Sequence, residues 1–229
     1  MEFNILGNNF QFVSVKLNEG ESVFCDSGKL ISKTDNVVMS PKLIGGIVKA
    51  IERKVTGATA MLTEFKCKEG IGRISVGGIY PGRILGIKLE EGQSIVAEDH
   101  AFLVADANIK FSVQTLGIGA AFFGGAGFVL QRFEGPGNVF IHFVGDGIEY
   151  QLDGTAAVQL EPGHLAAYEP SLAFKVRFVD NIRTMMFGGV GLFLATFEGK
   201  GKLYAHSISR FKLSSEIYLD GLKANQKNQ

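Results

Sequence analysis

The sequence has too few cysteines and too little net charge to belong to several common classes. Two cysteines in 229 residues, Cys25 and Cys67, cannot build a disulfide scaffold. With no sign of secretion, both are expected as reduced, buried thiols. None of the 4 histidines stands in an H-x-H or H-x-x-x-H spacing and there is no C-x-x-C, so no metal or cofactor site is expected. The 23 basic and 23 acidic residues cancel. Nucleic-acid binders usually carry a basic excess, so nucleic acid is not an expected partner. No uncharged run reaches the ~18 residues of a spanning helix. The longest apolar stretch, Leu116 to Leu130, is interrupted by glycines and reads as a loop or hairpin. Met1-Glu2-Phe3-Asn4 shows neither the basic and apolar regions of a signal peptide nor the Arg-rich pattern of a transit peptide, which points to a cytoplasmic protein. Tryptophan is absent and proline is scarce, at 5 residues.

Glycine is plentiful at 30 and phenylalanine at 19, within a chain that is 46% hydrophobic and 20% charged. That composition supports a packed core with many tight turns. The turns recur. Glu69-Gly70-Ile71-Gly72, Glu134-Gly135-Pro136-Gly137 and Glu198-Gly199-Lys200-Gly201 are three E-G-x-G stretches, each followed by an apolar run. Phe123 to Gly137 lies over Phe187 to Gly201 without a gap, and most of the aligned positions are identical. A second element, Leu17-Asn18-Glu19-Gly20, Leu89-Glu90-Glu91-Gly92 and Leu160-Glu161-Pro162-Gly163, is read as a hairpin-like turn in three copies. Short alternating runs such as Ala173 to Phe178 argue half-buried strands.

The expected fold is an all-β single domain, 1–229, of three divergent repeats (10–76, 77–143 and 144–211) in a pseudo-threefold arrangement, sandwich- or barrel-like. Each repeat is too small to bury its own apolar face, so the three share a core. Apolar residues at helical spacing give a short amphipathic helix over 43–55, with a long hairpin tip as the alternative. Leu213 to Leu222 packs or forms a short helix capped by Ser214 or Ser215, and 223–229 is a frayed polar tail.

The glycines and strands Gly78-Ile79-Tyr80-Pro81-Gly82-Arg83-Ile84, Leu89-x-x-Gly92, Phe102-Leu103-Val104-Ala105, Gly189-Val190-Gly191-Leu192 and Gly199-x-Gly201 resemble the mitochondrial-biogenesis ("altered inheritance of mitochondria") family of uncharacterised proteins. The resemblance runs from about Phe10 to Phe211. It implies a β-rich fold similar to the tryptophan RNA-binding attenuator-like class, built of pseudo-repeats and oligomeric, with a trimer as the expected state. It implies no enzymatic activity, and its motifs specify fold more than function.

No catalytic constellation stands out. There is no G-x-S-x-G, and the glycine-rich stretches lack the Lys-Ser/Thr of a phosphate loop. Asp26 raises the thiol of Cys25, and strand alternation turns Lys66 and Lys68 away from Cys67. His142 and His206 occupy matching places in the second and third repeats, opposite Gly77 in the first. They could meet near the pseudo-axis, but no further ligand completes a metal site, and outward-facing or packed strand histidines are expected. His100 and His164 are turn residues. The recurring Glu69, Glu134 and Glu198 are given a structural role, accepting a backbone N–H in a turn formed with Gly70, Gly72, Gly135, Gly137, Gly199 and Gly201.

The informative oddity is apolar sequence beside glycine. Ile44 and Ile47, Phe122 and Phe123, and Met185, Met186 and Phe187 fall at equivalent places in the three repeats. Core strands, a subunit interface and a surface for a membrane or a hydrophobic protein partner are the three readings. Lys42, Lys49, Arg53 and Lys54 nearby suit anionic lipid. The leading reading is a non-enzymatic assembly or interaction protein, membrane-peripheral through these tips. The alternative is a small-ligand or nucleic-acid binding module using a cleft between repeats; for nucleic acid, Lys175, Arg177 and Arg183 near Phe174 and Phe178 are the candidate residues.

Overall fold

The computed structural model describes residues 1–42, 62–116, 128–178 and 193–227. After β1 (Glu2–Leu6), three successive groups of strands follow. The first comprises β2 (Phe12–Asn18), β3 (Ser22–Asp26), β4 (Leu30–Lys33), β5 (Val37–Pro41), β6 (Leu62–Cys67) and β7 (Ile71–Gly77). The second comprises β8 (Ile84–Leu89), β9 (Ser94–Glu98), β10 (Phe102–Asp106), β11 (Lys110–Leu116), β12 (Phe128–Glu134) and β13 (Gly137–His142). The third comprises β14 (Gly147–Asp153), β15 (Val158–Leu160), β16 (Leu165–Tyr168), β17 (Ala173–Phe178), β18 (Phe193–Glu198) and β19 (Lys200–His206). A helix, α1 (Arg210–Lys227), ends the chain. The architecture is all-β, as the sequence indicates.

The same antiparallel pairings recur in each group. The last strand lies between the first and third, giving β2·β7·β4, β8·β13·β10 and β14·β19·β16. The fifth lies between the second and fourth, giving β3·β6·β5, β9·β12·β11 and β15·β18·β17. Each group is thus a small two-sheet sandwich. Two junctions, β3·β10 and β9·β16, fuse neighbouring half-sheets into the six-stranded sheets β5-β6-β3-β10-β13-β8 and β11-β12-β9-β16-β19-β14. The remaining sheets are β1-β2-β7-β4 and β15-β18-β17. Threefold closure would also join β15 to β4, and these two strands are not paired with each other.

Burial follows this layering. β2 alternates strictly, with Val13, Val15 and Leu17 buried, because its sheet packs on one face. β10 and β16 are buried throughout, because their sheets are covered on both faces. Their sequences, Phe-Leu-Val-Ala-Asp and Leu-Ala-Ala-Tyr, are accordingly runs rather than alternations. Three apolar clusters result, one per sandwich. They are centred on Val15, Phe65 and Ile74; on Phe24, Phe102 and Phe133; and on Leu130, Phe197 and Leu203.

The recurring turns differ from the hairpins the sequence suggested. β6 and β7 lie in different sheets, as do β12 and β13, and β18 and β19. E-G-x-G is therefore a corner between facing sheets. Its glutamates do not cap it: Glu134 pairs with Arg132 at 3.1 Å and Glu198 with Lys175 at 3.9 Å. The backbone N–H after the second glycine is held by the residue that follows the third strand or ends it. Arg73 N donates to Thr34 Oγ1 (3.0 Å), Asn138 N to Asp106 Oδ2 (2.8 Å) and Lys202 N to Glu169 Oε2 (3.0 Å). The second recurring turn is likewise a corner, and its third copy is Leu152-Asp153-Gly154, not Leu160 to Gly163. Gly20, Gly92 and Gly154 share the left-handed conformation, with φ of 81°, 79° and 90°, whereas Leu160 to Gly163 leads into a 3-10 turn, Pro162–His164. Ser214 and Ser215 lie inside α1 rather than capping it, and the stretch expected to fray from Lys223 continues the helix to Lys227. The helix expected over 43–55 lies outside the described residues.

Candidate functional site

Strand registers bring one set of strand ends to a common pole. Across the first six-stranded sheet these ends are Pro41, Leu62, Asp26, Phe102, His142 and Ile84. Across the second they are Leu116, Phe128, Glu98, Leu165, His206 and Gly147. Short connections hold the sheets together here: the 3-10 turn Ser27–Lys29, the turn 99–101 and Pro162–His164. The described strands that flank 43–61, 117–127 and 179–192 end at this pole, at Pro41 and Leu62, Leu116 and Phe128, and Phe178 and Phe193. Those three segments carry Ile44, Ile47, Phe122, Phe123, Met185, Met186 and Phe187, all outside the described residues.

The described surface at this pole is apolar in its own right. Phe10 is 71% exposed, Ile79 70%, Ile31 60%, Leu6 45% and Ile208 43%. Leu6 faces Phe12, and Phe12 faces Gly77, in register across the outer sheet. Backbone bridges run from Phe10 to Gly82 and from Gly82 to Gly145. Cationic groups rim the patch: Arg83, half exposed and 3.3 Å from Asp146, and Lys212, 3.2 Å from Glu161. The opposite pole holds the corner turns, with Glu19, Glu69, Glu90, Glu91 and Lys200 exposed. Ile71, 54% exposed, also lies there, so the exposed apolar residues are concentrated at the first pole rather than confined to it.

Beside the apolar patch lies a polar cluster in which Lys29 and Glu98 are buried and His100 is exposed. Lys29 is buried, and its ammonium donates to the carbonyls of His100 (2.9 Å) and Phe102. It ties the first sandwich to the second, although burial pulls its pKa down. His100 Nδ1 sits 2.5 Å from Asp99 Oδ1 and 3.0 Å from Glu98 Oε1. Burial disfavours its charge, but bonds to Asp99 and Glu98 outweigh that and raise it to about 9. Arg210 lies 3.6 Å from Glu98. The ligand atoms of Glu98, Asp99 and His100 lie within 4.8 Å of one another, close enough for a cation. The imidazole already holds a proton against both carboxylates, however, and a metal would have to displace it. The cluster reads as an ion-pair knot.

His142 and His206 end equivalent strands and are buried, the packed and not the outward of the two placements the sequence left open. His206 Nδ1 accepts from Val144 N at 3.2 Å, and His142 Nε2 has no hydrogen-bond partner among the described residues. Burial, reinforced by the charge of Lys29, lowers His142 to about 4. Burial, then His142, His164 and Arg210, lowers His206 to about 3. Both are neutral at pH 7, and among the described residues no carboxylate or thiol joins them in a ligand set. Cys25 and Cys67 are buried free thiols, and burial with Asp26 pushes Cys25 up to about 12. Phe174 is packed against Tyr168 and Phe197 rather than offered to a ligand.

Sequence reasoning missed Lys29, Phe10, Ile31 and Ile79. The signal for Phe10 and Ile79 was an apolar side chain among turn-forming Asn, Gly and Pro. Lys29 carried none, because its burial comes from a neighbouring sandwich.

A family model described as "Mitochondrial biogenesis AIM24" matches residues 3–208. An uncharacterised protein of Streptococcus pyogenes serotype M6 is 27% identical over 207 residues, spanning 87% of this chain and 82% of its own length. A crystal structure of a Streptococcus pyogenes protein from a structural-genomics programme superposes with a TM-score of 0.79 at 24% identity, covering 95% of this chain and 98% of that one. At that identity the likeness is one of fold. Among the described residues, no helix is long and apolar enough to cross a membrane.

Proposed function

The chain belongs to the Mitochondrial biogenesis AIM24 family, and on that premise we propose that it is a non-enzymatic interaction protein that docks on an anionic lipid surface through its apolar pole. The observation that carries this reading is the exposure of Phe10 and Ile79 at the pole where the strands flanking all three apolar, glycine-rich segments end. Turn residues are ordinarily polar, and a cluster of exposed apolar ones calls for a partner. Arg83 and Lys212, with Lys49, Arg53, Lys54 and Arg183 in the segments themselves, supply charge that favours anionic headgroups. Inserting one such side chain contributes about 1.5–3 kcal/mol; several together, with the basic rim, give reversible peripheral binding.

The chain is assigned no reaction and no cofactor. It is read as a tandem triplication of one sandwich that acts on the cytoplasmic side as a homo-oligomer, whose repeated poles would multiply a weak individual affinity. Flotation with phosphatidylserine-containing vesicles tests the reading. The wild-type chain is expected to float, and Phe10→Asp/Ile79→Asp to stay with the soluble fraction. A wild-type chain that does not float at low salt overturns it.

A further inference from the structure

We propose that copies of this chain associate head to tail, with β15 of one copy pairing antiparallel with β4 of the next to complete a third six-stranded sheet. Two observations carry this, and neither depends on lipid binding.

The first is that the chain contains the proposed junction twice already. At β3·β10, Val104 faces Cys25 and Ala105 faces Phe24. At β9·β16, Ala167 faces Ala97 and Tyr168 faces Val96. The half-sheets left over, β15-β18-β17 and β1-β2-β7-β4, are the two halves of the same construction, each ending on a strand that has only one partner among the described residues. Such edges present unpaired backbone groups to another chain. Transferring the register residue by residue sets Ser32 against Leu160 and Lys33 against Gln159.

The second is Ile31. β4, β10 and β16 each carry a bulge at the same point: between Leu30 and Ser32, Phe102 and Val104, and Leu165 and Ala167. The bulged residue in the second and third sandwiches, Leu103 or Ala166, is fully buried, and each packs in the cluster of the preceding sandwich. Ile31 holds the same position in the first of the three described sandwiches, and it is 60% exposed. A second copy supplies a preceding sandwich, and Ile31 then enters the cluster around Leu160 and Phe197. Ser32 and Lys33 stand where β10 and β16 have Val104-Ala105 and Ala167-Tyr168. These polar residues keep the free edge soluble until it is paired. Because the two surfaces differ, the contact is heterologous and builds a ring or an open row.

The test uses two full-length single variants, Lys33→Cys and Gln159→Cys, both at exposed positions, mixed under mild oxidation without vesicles. A disulfide-linked dimer containing one of each is expected, with wild-type chain sedimenting above monomer mass and Ile31→Asp reducing it to monomer. Circular dichroism confirms that the variants fold. Three results each overturn the proposal: no mixed dimer, a Lys33→Cys/Gln159→Cys double variant that closes only within one chain, or a wild-type monomer at micromolar concentration. Loss of vesicle flotation with the cross-link intact would strike the lipid reading alone.

Discussion

The imidazole of His142 packs directly on the backbone of Gly78, so a β-carbon at position 78 would collide with the ring. His142 closes the second sandwich, and Gly78 opens the link that leads out of the first. The contact therefore fixes how the two sandwiches meet at the apolar pole. Gly78→Ala is expected to destabilise the fold by about 1–3 kcal/mol through overpacking. At Gly77 an added β-carbon would meet the tip of the Ile31 side chain at 2.9 Å. In a single, unassociated chain that side chain is exposed and free to move, so at concentrations where the chain is monomeric Gly77→Ala is expected to change stability by no more than about 0.5 kcal/mol. Urea denaturation of the pair separates a rigid contact from a yielding one.

The buried histidines set an acid limit. In the folded chain His142 is lowered to about 4 and His206 to about 3, against ~6.5 when unfolded. Between those values the unfolded chain binds more protons, so stability present above pH 6.5 is lost as pH falls toward 4 and below. The loss is on the order of 3–5 kcal/mol per histidine. His100 acts oppositely: raised to about 9, its contribution is fully present below ~6.5 and is lost as pH rises through 9. Thermal unfolding against pH is expected to peak near neutrality. Replacing His142 by Gln, which needs no deprotonation, should flatten the acid limb.

Lys29 is a cation used as a structural donor. Lys29→Met keeps the aliphatic stem but leaves the carbonyls of His100 and Phe102 without its ammonium. A loss of about 1.5–3 kcal/mol is expected. Hydrogen exchange should show the change at the 99–101 turn before the outer sheet, because the bond joins sandwiches rather than strands.

Much of the fold was legible in sequence. The alternation in β2 and the runs in β10 and β16 announced which strands are covered on one face and which on both. The E-G-x-G spacing set the register that aligns Gly77, His142 and His206 at the ends of β7, β13 and β19. Sheet membership was not legible, because a corner and a hairpin use the same glycines in the same left-handed conformation. The Leu160-Glu161-Pro162-Gly163 match misled for that reason: its glycine is not the counterpart of Gly20 and Gly92. The apolar pole was half legible. Phe122-Phe123 and Met185-Met186, on which the sequence reading of an apolar surface rested, lie outside the described residues, whereas Phe10 and Ile79 lie in the links, where repeat comparison does not look.

The absence of tryptophan allows a direct measurement of whether the apolar pole is the docking face. Phe10→Trp places one fluorophore at that pole, and Ile71→Trp, at a position 54% exposed, places one at the opposite pole. With phosphatidylserine vesicles carrying brominated acyl chains, Phe10→Trp is expected to shift to the blue and be quenched while Ile71→Trp stays unchanged. Emission unchanged in both variants, or quenched equally in both, would contradict docking through the apolar pole.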